Sequence, residues 1–177
     1  MPNWVFTTMT VSGKETDLRN FMWKASAPYA TYFRGVRTIN EDGTPSFDAN
    51  AIDEKVHTGC ISFMNFRSPE NRDAYFASAH PEDGWYEWNA REWGTKWDAC
   101  NPEMTQDDPS TGVVEYRFDT AWTPAEGAFT AIVAQHPELR FHFHCEEETG
   151  WGVEYLGEGG DFSLIREWIE IESEEVF

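Results

Sequence analysis

The chain has 177 residues, of which 40% are hydrophobic and 16% aromatic, so it can bury a core and does not have the composition of a disordered protein. Thirteen Lys and Arg residues face thirty-two Asp and Glu residues, which gives a formal net charge of -19. This charge argues against direct binding of nucleic acid, because affinity for phosphates comes largely from Lys and Arg.

The first two predicted elements are a strand followed by a helix. Residues 3–13, "NWVFTTMTVSG", are rich in β-branched and aromatic side chains, which is typical of a strand. Ser12 and Glu15 have the spacing of a capping box at the start of a helix. The helix is predicted from an apolar stripe at helical spacing: Leu18, Phe21, Met22 and Ala25.

The next segment predicts two insertions around one strand. Residues 28–55 contain Glu41-Asp42-Gly43 and a nearby proline, and they are interpreted as a loop or a hairpin. Residues 59–66, "GCISFMNF", are predicted to be the second strand of the core. A short helix is predicted to open at Ser68-Pro69. The aromatic helix "DGWYEWNAREW" follows it and is predicted to end at Gly94.

A third strand and a second amphipathic helix are predicted after residue 112. Residues 113–118, "VVEYRF", alternate apolar and charged side chains. "TPAE", residues 123–126, has the spacing of a second capping box, with Pro124 at the first helical position. Phe129, Ile132 and Val133 form the predicted buried stripe, and His136-Pro137 ends the helix.

The C-terminal part predicts a hairpin and a further strand. In residues 140–146, "RFHFHCE", Phe141, Phe143 and Cys145 alternate with His142, His144 and Glu146. "WGVEY", residues 151–155, is predicted to be the hairpin partner of this strand. "EWIEIES", residues 167–173, alternates again, although a helix over Leu164 to Ile169 is an alternative.

The order of elements predicts an α+β fold. It matches a ferredoxin-like split βαβ sandwich with a helical insertion between the second and third strands and an extra C-terminal hairpin. We expect one domain over residues 1–177. Its expected parts are a core at about 3–27, 56–66 and 113–156, insertions at 28–55 and 67–112, and an acidic extension at 157–177.

Several of these segments together resemble a known family. They are "PNW" at residues 2–4, "ISF" at 61–63, "WGTKWDA" at 93–99, the stretch from Tyr116 to Pro124, and "HPEL" with the phenylalanine at 141. In this order they resemble the YubB-type ferredoxin-like proteins of phages and plasmids. The resemblance covers most of residues 1–155 and implies the fold and an origin in a mobile element, hence the cytoplasm of a bacterial host. It implies no reaction, and residues 28–55 and the tail after Gly157 depart from it.

The "WGTKWD" segment has a functional and a structural interpretation. In the functional one, Lys96 and Asp98 form a polar pair in an aromatic pocket. In the structural one, Gly94 stops a helix, Trp93 and Trp97 bury large areas, and the polar side chains satisfy backbone groups. We predict the structural role for the six residues, with both tryptophans largely buried and Trp97→Ala costing about 3–5 kcal/mol. The six residues are Trp93, Gly94, Thr95, Lys96, Trp97 and Asp98.

No pattern in the sequence predicts a cofactor or a catalytic centre. His142 and His144, with His57 and Cys60, could supply zinc ligands, but no C-x-x-C pair is present and Cys145 points away from the two histidines. The chain has no phosphate-binding loop motif. The three cysteines are odd in number and widely spaced, which predicts reduced thiols. We therefore expect no metal and no cofactor.

Two sequence features bear on targeting. The opening "MPNWVFTTMT" lacks the basic start and apolar run of a signal peptide. No run of eighteen apolar residues occurs, so the sequence predicts no membrane span.

The negative charge is concentrated in the second half of the chain. Residues 1–81 hold nine acids and eight bases, whereas residues 82–177 hold twenty-three acids and five bases. Such asymmetry predicts an acidic face that attracts a basic partner. The residues predicted to contact that partner are Glu146, Glu148, Glu154, Glu158, Asp161, Glu170, Glu172, Glu174 and Glu175.

The acidic face leads to the main functional hypothesis. Carboxylates on alternate residues of a strand lie about 6.6–6.8 Å apart, a spacing of the same order as that of charges on nucleic acid. We predict a non-enzymatic phage protein that binds a basic host protein and mimics nucleic acid, inhibiting a defence nuclease or a CRISPR effector. The alternative is a small enzyme or ligand-binding module that uses the aromatic cluster of Trp85, Trp88, Trp93 and Trp97. A third interpretation is that the charge serves solubility alone.

Overall fold

The computed structural model describes residues 3–77 and 84–169, which form eight strands and four α-helices. The strands are β1 (Trp4–Ser12), β2 (Tyr29–Ile39), β3 (Pro45–His57), β4 (Cys100–Gln106), β5 (Val113–Ala121), β6 (Arg140–Glu147), β7 (Trp151–Glu158) and β8 (Asp161–Ile169). The helices are α1 (Glu15–Ala25), α2 (Arg72–Ala77), α3 (Trp85–Glu92) and α4 (Glu126–Gln135). The fold is therefore mixed α+β, as predicted.

Six strands form one antiparallel sheet in the order β4-β5-β1-β6-β7-β8. Two helices cover one face of it. Phe21 of α1 packs edge-on against Tyr116 and Phe141, with ring centroids 5.8 and 5.5 Å apart. Phe129 of α4 stacks on Phe143 at 4.3 Å. The alternation predicted for β5 and β6 is confirmed, because the apolar residues of each strand point into this layer and are buried.

The opposite face of the sheet carries the polar residues of the same strands. Phe6, the third residue of β1, is 50% exposed there, between Asp119 on β5 and Glu146 on β6. We call this surface the open face. The strands present side chains to it at every second position.

Residues 28–55 form a hairpin insertion, one of the two alternatives predicted for them. Strands β2 and β3 pair antiparallel as a separate two-stranded sheet. Asn40 and Gly43 make the turn, where Gly43 has a φ of 81°. The hairpin begins beside the core, since the Tyr29 ring stacks on His57 at 4.9 Å.

The strand predicted at residues 59–66 is wrong. Phe63–Asn65 form one turn of 3-10 helix, and Ile61, Ser62, Phe63 and Met64 are buried at consecutive positions instead of alternate ones. The sheet position next to β5 is taken by β4, whose sequence "CNPEMTQ" includes a proline and predicted no strand. A proline is tolerated there because β4 is an edge strand.

Neither predicted capping box forms. Ser12 lies within β1, and α1 starts after Lys14, which makes no side-chain cap. Helix α4 starts at Glu126 after Ala125, also without a side-chain cap. The hydroxyl of Thr123 instead donates to the carbonyl of Gly94, 2.5 Å away.

The C-terminal segment extends the sheet. The predicted pairing of residues 140–146 with 151–155 is confirmed by β6 and β7. Residues 164–169 lie in β8 and pair with β7, so the alternative of a helix there is wrong. Residues 170–173 of the predicted strand lie outside the described part of the chain. Within residues 3–77 and 84–169, no helix combines the length and apolar character needed to cross a membrane.

Candidate functional site

Trp93 anchors the "WGTKWDA" segment in the core. It is 1% exposed, and its indole N–H donates to the carbonyl of Arg67 at 2.8 Å. Its ring meets those of Phe63 and Trp88 edge-on, at 5.8 and 5.4 Å. The predicted burial of Trp93 is confirmed. Trp97 has intermediate exposure, so it is less completely buried than Trp93.

Gly94 and Thr95 join the end of α3 to the end of β5. Gly94 has a φ of 83°, the left-handed conformation that ends a helix and favours glycine. The hydroxyl of Thr95, which is 2% exposed, donates to the carbonyl of Ala121 at 2.9 Å and accepts from the N–H of Ala121 at 3.2 Å. These contacts support the structural role predicted for the first three residues of the segment.

The same junction continues into α4 through Gly127. The backbone N–H of Gly127 donates to the carbonyl of Trp93 at 3.1 Å. A Cβ at this position would lie 2.2 Å from the carbonyl oxygen of Glu92 and 2.9 Å from its carbon. Two helix ends therefore meet at a spacing that only glycine permits.

Gly127→Ala is expected to destabilise the fold by about 1–3 kcal/mol or more, as overpacking against backbone does. Helix propensity alone predicts the opposite, a gain of up to about 1 kcal/mol. Urea denaturation of the variant measures the balance. Gly59→Ala is the matched control, because its Cβ would meet nothing nearer than a side-chain carbon of Pro102 at 3.7 Å. Equal stability of the two variants would contradict the close approach.

Lys96 lies among aromatic rings. Its ammonium nitrogen is 4.8 Å from the ring centre of Trp97, 5.0 Å from that of Trp122 and 5.4 Å from that of Tyr86. Each distance is within the range of a cation–π contact. No ion pair joins Lys96 to Asp98, so the polar pair of the functional interpretation does not form. Trp122 has a φ of 69°, which is an outlier for a bulky residue.

Asp98 is the best-satisfied polar side chain of the segment. Its Oδ1 accepts from the backbone N–H groups of Phe63 and Ala99, each at 2.7 Å. Its Oδ2 accepts from the hydroxyls of Ser62 at 2.5 Å and Tyr29 at 3.2 Å. Four donors fill the lone pairs of an ionised carboxylate. Burial raises the pKa of Asp98, and these donors oppose the rise.

Three of these four donors were not predicted from the sequence. Tyr29, Ser62 and Phe63 lie 69, 36 and 35 residues before Asp98. Ser62 and Phe63 belong to the segment predicted as a strand, where their side chains would point to opposite faces. No pattern within either segment indicates that one carboxylate binds both.

A cavity of about 340 Å³ lies beside Asp98, between the start of β2 and helices α2 and α3. Asn89 forms part of its wall, and its amide is held by Tyr75 and by the carbonyl of Lys96, both at 2.8 Å. The rest of the wall is mainly aromatic. The aromatic residues are Tyr29, Tyr75, Phe76, Trp85, Trp93 and Trp97.

Four of the five described residues that were predicted to contact the partner fall into two pairs. Glu146 and Glu148 are exposed at one end of the β6–β8 unit, and Glu158 and Asp161 are exposed and paired across β7 and β8 at the other. Glu146 lies opposite Gly152, six residues before Glu158. That separation along β7 is about 20 Å. Glu170, Glu172, Glu174 and Glu175 lie outside the described residues.

Glu154, between the two pairs, is compensated by positive or polar partners. Its Oε1 lies 3.0 Å from Nη2 of Arg166 and 3.1 Å from Nδ1 of His144. The hydrogen bond with His144 and the charge of Arg166 lower the pKa of Glu154. The acidic face is therefore interrupted at its centre. His144 is also 3.3 Å from Glu146, so it contacts carboxylates from both strands.

The remaining candidate ligands do not assemble. In the described part of the chain, no group of three or more His, Cys, Asp and Glu side chains has an arrangement that could hold a metal ion. His57, the other histidine considered, lies on the hairpin, where its Nε2 is 2.7 Å from the hydroxyl of Thr31. The three cysteines are free, and Cys145 is buried on the helix side of β6.

Comparison of the chain with protein-family models, with curated proteins and with solved structures gave no match.

Proposed function

We propose that the protein is an acidic binding protein whose β6–β8 unit contacts a basic partner. The observation that carries this proposal is the placement of two exposed carboxylate pairs, Glu146 with Glu148 and Glu158 with Asp161, at opposite ends of the β6–β8 unit. Clustered charge of one sign weakens the compact state through self-repulsion. A complementary basic surface offsets that cost, since it brings the opposite charge to both ends.

The partner we propose is a basic host protein that binds nucleic acid, such as a defence nuclease or a CRISPR effector. Residues opposite each other on paired strands, such as Glu158 and Asp161, lie about 5 Å apart, a spacing of the same order as that of backbone charges on nucleic acid. The chain would then act as a nucleic-acid mimic in a bacterial cytoplasm, without an enzymatic activity of its own. The net charge of -19 supports a partner that carries positive charge.

We also propose a ferredoxin-like topology and membership of the YubB-type proteins. Strands β6, β1, β5 and β4 are neighbours in that order, and α4 connects β5 to β6 on either side of β1. This order supports a split βαβ core in which β4 takes the place of the predicted strand at 59–66. The hairpin of β2 and β3 would then be an insertion, and β7 and β8 an extension.

A fourfold variant tests the acidic interface. Glu146→Gln, Glu148→Gln, Glu158→Gln and Asp161→Asn together are expected to remove capture of the basic partner from host lysate, measured by quantitative mass spectrometry at low and high salt. The association rate with a partner so identified should fall about tenfold or more, because complementary charge acts mainly on encounter. Nucleic acid should compete with the wild-type protein for that partner.

The matched control removes four carboxylates elsewhere. Glu41, Glu54, Glu70 and Glu87 are exposed on the hairpin and around α2 and α3, and changing all four to Gln alters the net charge equally. This control variant should still capture the partner from host lysate. If both fourfold variants capture the same proteins as the wild type, the charge serves solubility and the proposal fails.

A further inference from the structure

The aromatic cavity beside Asp98 has the features of a binding site for a small ligand. Its volume of about 340 Å³ falls in the range of small-molecule sites. It opens between the hairpin, α2 and α3, on the helix side of the sheet, and is thus separate from the β6–β8 interface proposed above. It does not depend on that interface for its function.

The charge of the cavity wall is negative. Asp98 lies in the wall, and none of the ion pairs among the described residues involves it. The faces of the surrounding aromatic rings also carry negative potential, because of the ring quadrupole. Both features favour a cationic ligand over a neutral or an anionic one.

The hydrogen bonding of Asp98 narrows the class of cation. Its four acceptor positions are filled by Tyr29, Ser62, Phe63 and Ala99, so it attracts a cation by charge and has no lone pair left for a ligand N–H. A primary ammonium or a guanidinium would bring several donors, each of which loses a water partner on entry. A fully alkylated ammonium brings none and can contact ring faces on all sides.

A neighbouring residue shows that one of these rings accepts a cation. The ammonium of Lys96 lies 4.8 Å from the ring centre of Trp97, which also lines the cavity. The same ammonium also contacts the rings of Tyr86 and Trp122, and neither of these residues belongs to the cavity wall.

We propose that this cavity binds a small quaternary alkylammonium group. The rings of Tyr75, Trp85 and Trp97 contact the alkyl groups, and the Asp98 carboxylate compensates the charge. A choline-like molecule and a methylated amine of a peptide share this chemistry. Binding of free choline or tetramethylammonium therefore tests the site itself, and binding of a trimethyl-lysine peptide distinguishes a side chain from a free small molecule.

The experiment compares a cation with its neutral counterpart. Choline, tetramethylammonium and the uncharged tert-butyl analogue of choline are titrated into the full chain and followed by calorimetry. We expect saturable one-site binding of both cations. The affinity of the uncharged analogue should be lower by about tenfold or more, as loss of a desolvated cation–π contact predicts. Saturating choline should also raise the melting temperature.

Two variants with a matched chemical change locate the site. Trp85→Leu removes a ring from the cavity wall and should weaken choline binding about tenfold. Trp23→Leu removes a ring that is 78% exposed on α1, away from the cavity, and should leave the affinity within about twofold. Circular dichroism establishes that each variant is folded.

Three outcomes would overturn the proposal. Equal affinity of choline and its uncharged analogue would make the cavity an apolar site. Equal weakening by Trp85→Leu and Trp23→Leu would place the cation elsewhere. Absence of saturable binding of either cation to the wild-type chain would show that the cavity is not a cation-binding site. That result would not contradict the proposed acidic interface.

Discussion

Asp98→Asn is expected to lower the free energy of unfolding by about 3 kcal/mol or more. An asparagine can accept at one oxygen only, and its NH₂ group would face two of the present donors. The backbone N–H groups of Phe63 and Ala99 both donate to Oδ1, whose place the amide oxygen can take. The NH₂ group then faces the hydroxyls of Ser62 and Tyr29, and each of them loses a hydrogen bond to a charged acceptor, which costs about 1.5–3 kcal/mol. Urea denaturation with tryptophan fluorescence measures the loss.

The control is Asp107→Asn, which makes the same chemical change at an exposed position after β4. It should stay within about 0.5 kcal/mol of the wild type. Ser62→Ala is a second variant of the same network and should cost less than Asp98→Asn, because it removes one donor and leaves three. Similar stability of Asp98→Asn and Asp107→Asn would show that the carboxylate does not organise this junction.

Trp93→Ala is expected to destabilise the protein by about 3–5 kcal/mol, the usual cost of truncating a large buried aromatic residue. The ring contacts Phe63 and Trp88, and its N–H satisfies the carbonyl of Arg67, which would lose its partner. The comparison is Trp97→Ala, whose ring has intermediate exposure and is tilted relative to that of Trp4, with ring centroids 5.9 Å apart. We expect Trp97→Ala to lower the free energy of unfolding by less than Trp93→Ala does. We also expect this loss to be smaller than the value of about 3–5 kcal/mol predicted from the sequence.

Thermal and urea denaturation of the two tryptophan variants show which substitution causes the larger loss of stability. A larger loss for Trp97→Ala would contradict the structural assignment. Normal stability of Trp97→Ala with loss of choline binding would instead support the cavity, because Trp97 lines it.

Local periodicity determined the elements whose burial follows one face. The apolar positions of Val113–Ala121 and Arg140–Glu147 alternate, and each segment is a strand with the predicted face buried. Leu18, Phe21 and Ala25 have helical spacing, and all three are buried on α1. These buried faces could be predicted from the sequence because the period of the backbone fixes the direction of each side chain.

The identity of the strand beside β5 was decided by the tertiary structure. "GCISFMNF" has strand-like composition but lies as loop and 3-10 turn, whereas "CNPEMTQ" pairs with β5. Strand propensity is weak compared with packing. Ile61, Phe63 and Met64 fill the core as consecutive buried residues, and Asp98 fixes the backbone at Phe63, which prevents a sheet ladder there.

The sequence by itself determined the total charge, its concentration after residue 81, and the burial of Trp93 at a glycine-ended helix. Only the tertiary structure decided how those groups are arranged. Strand register places Arg166 and His144 beside Glu154, which divides the acidic face into two pairs. Long-range folding brings Tyr29, Ser62 and Phe63 to Asp98 and leaves a cavity beside it. The physical reason is that charge and periodicity are properties of the local chain, whereas partners of a buried polar group are chosen by contacts between distant segments.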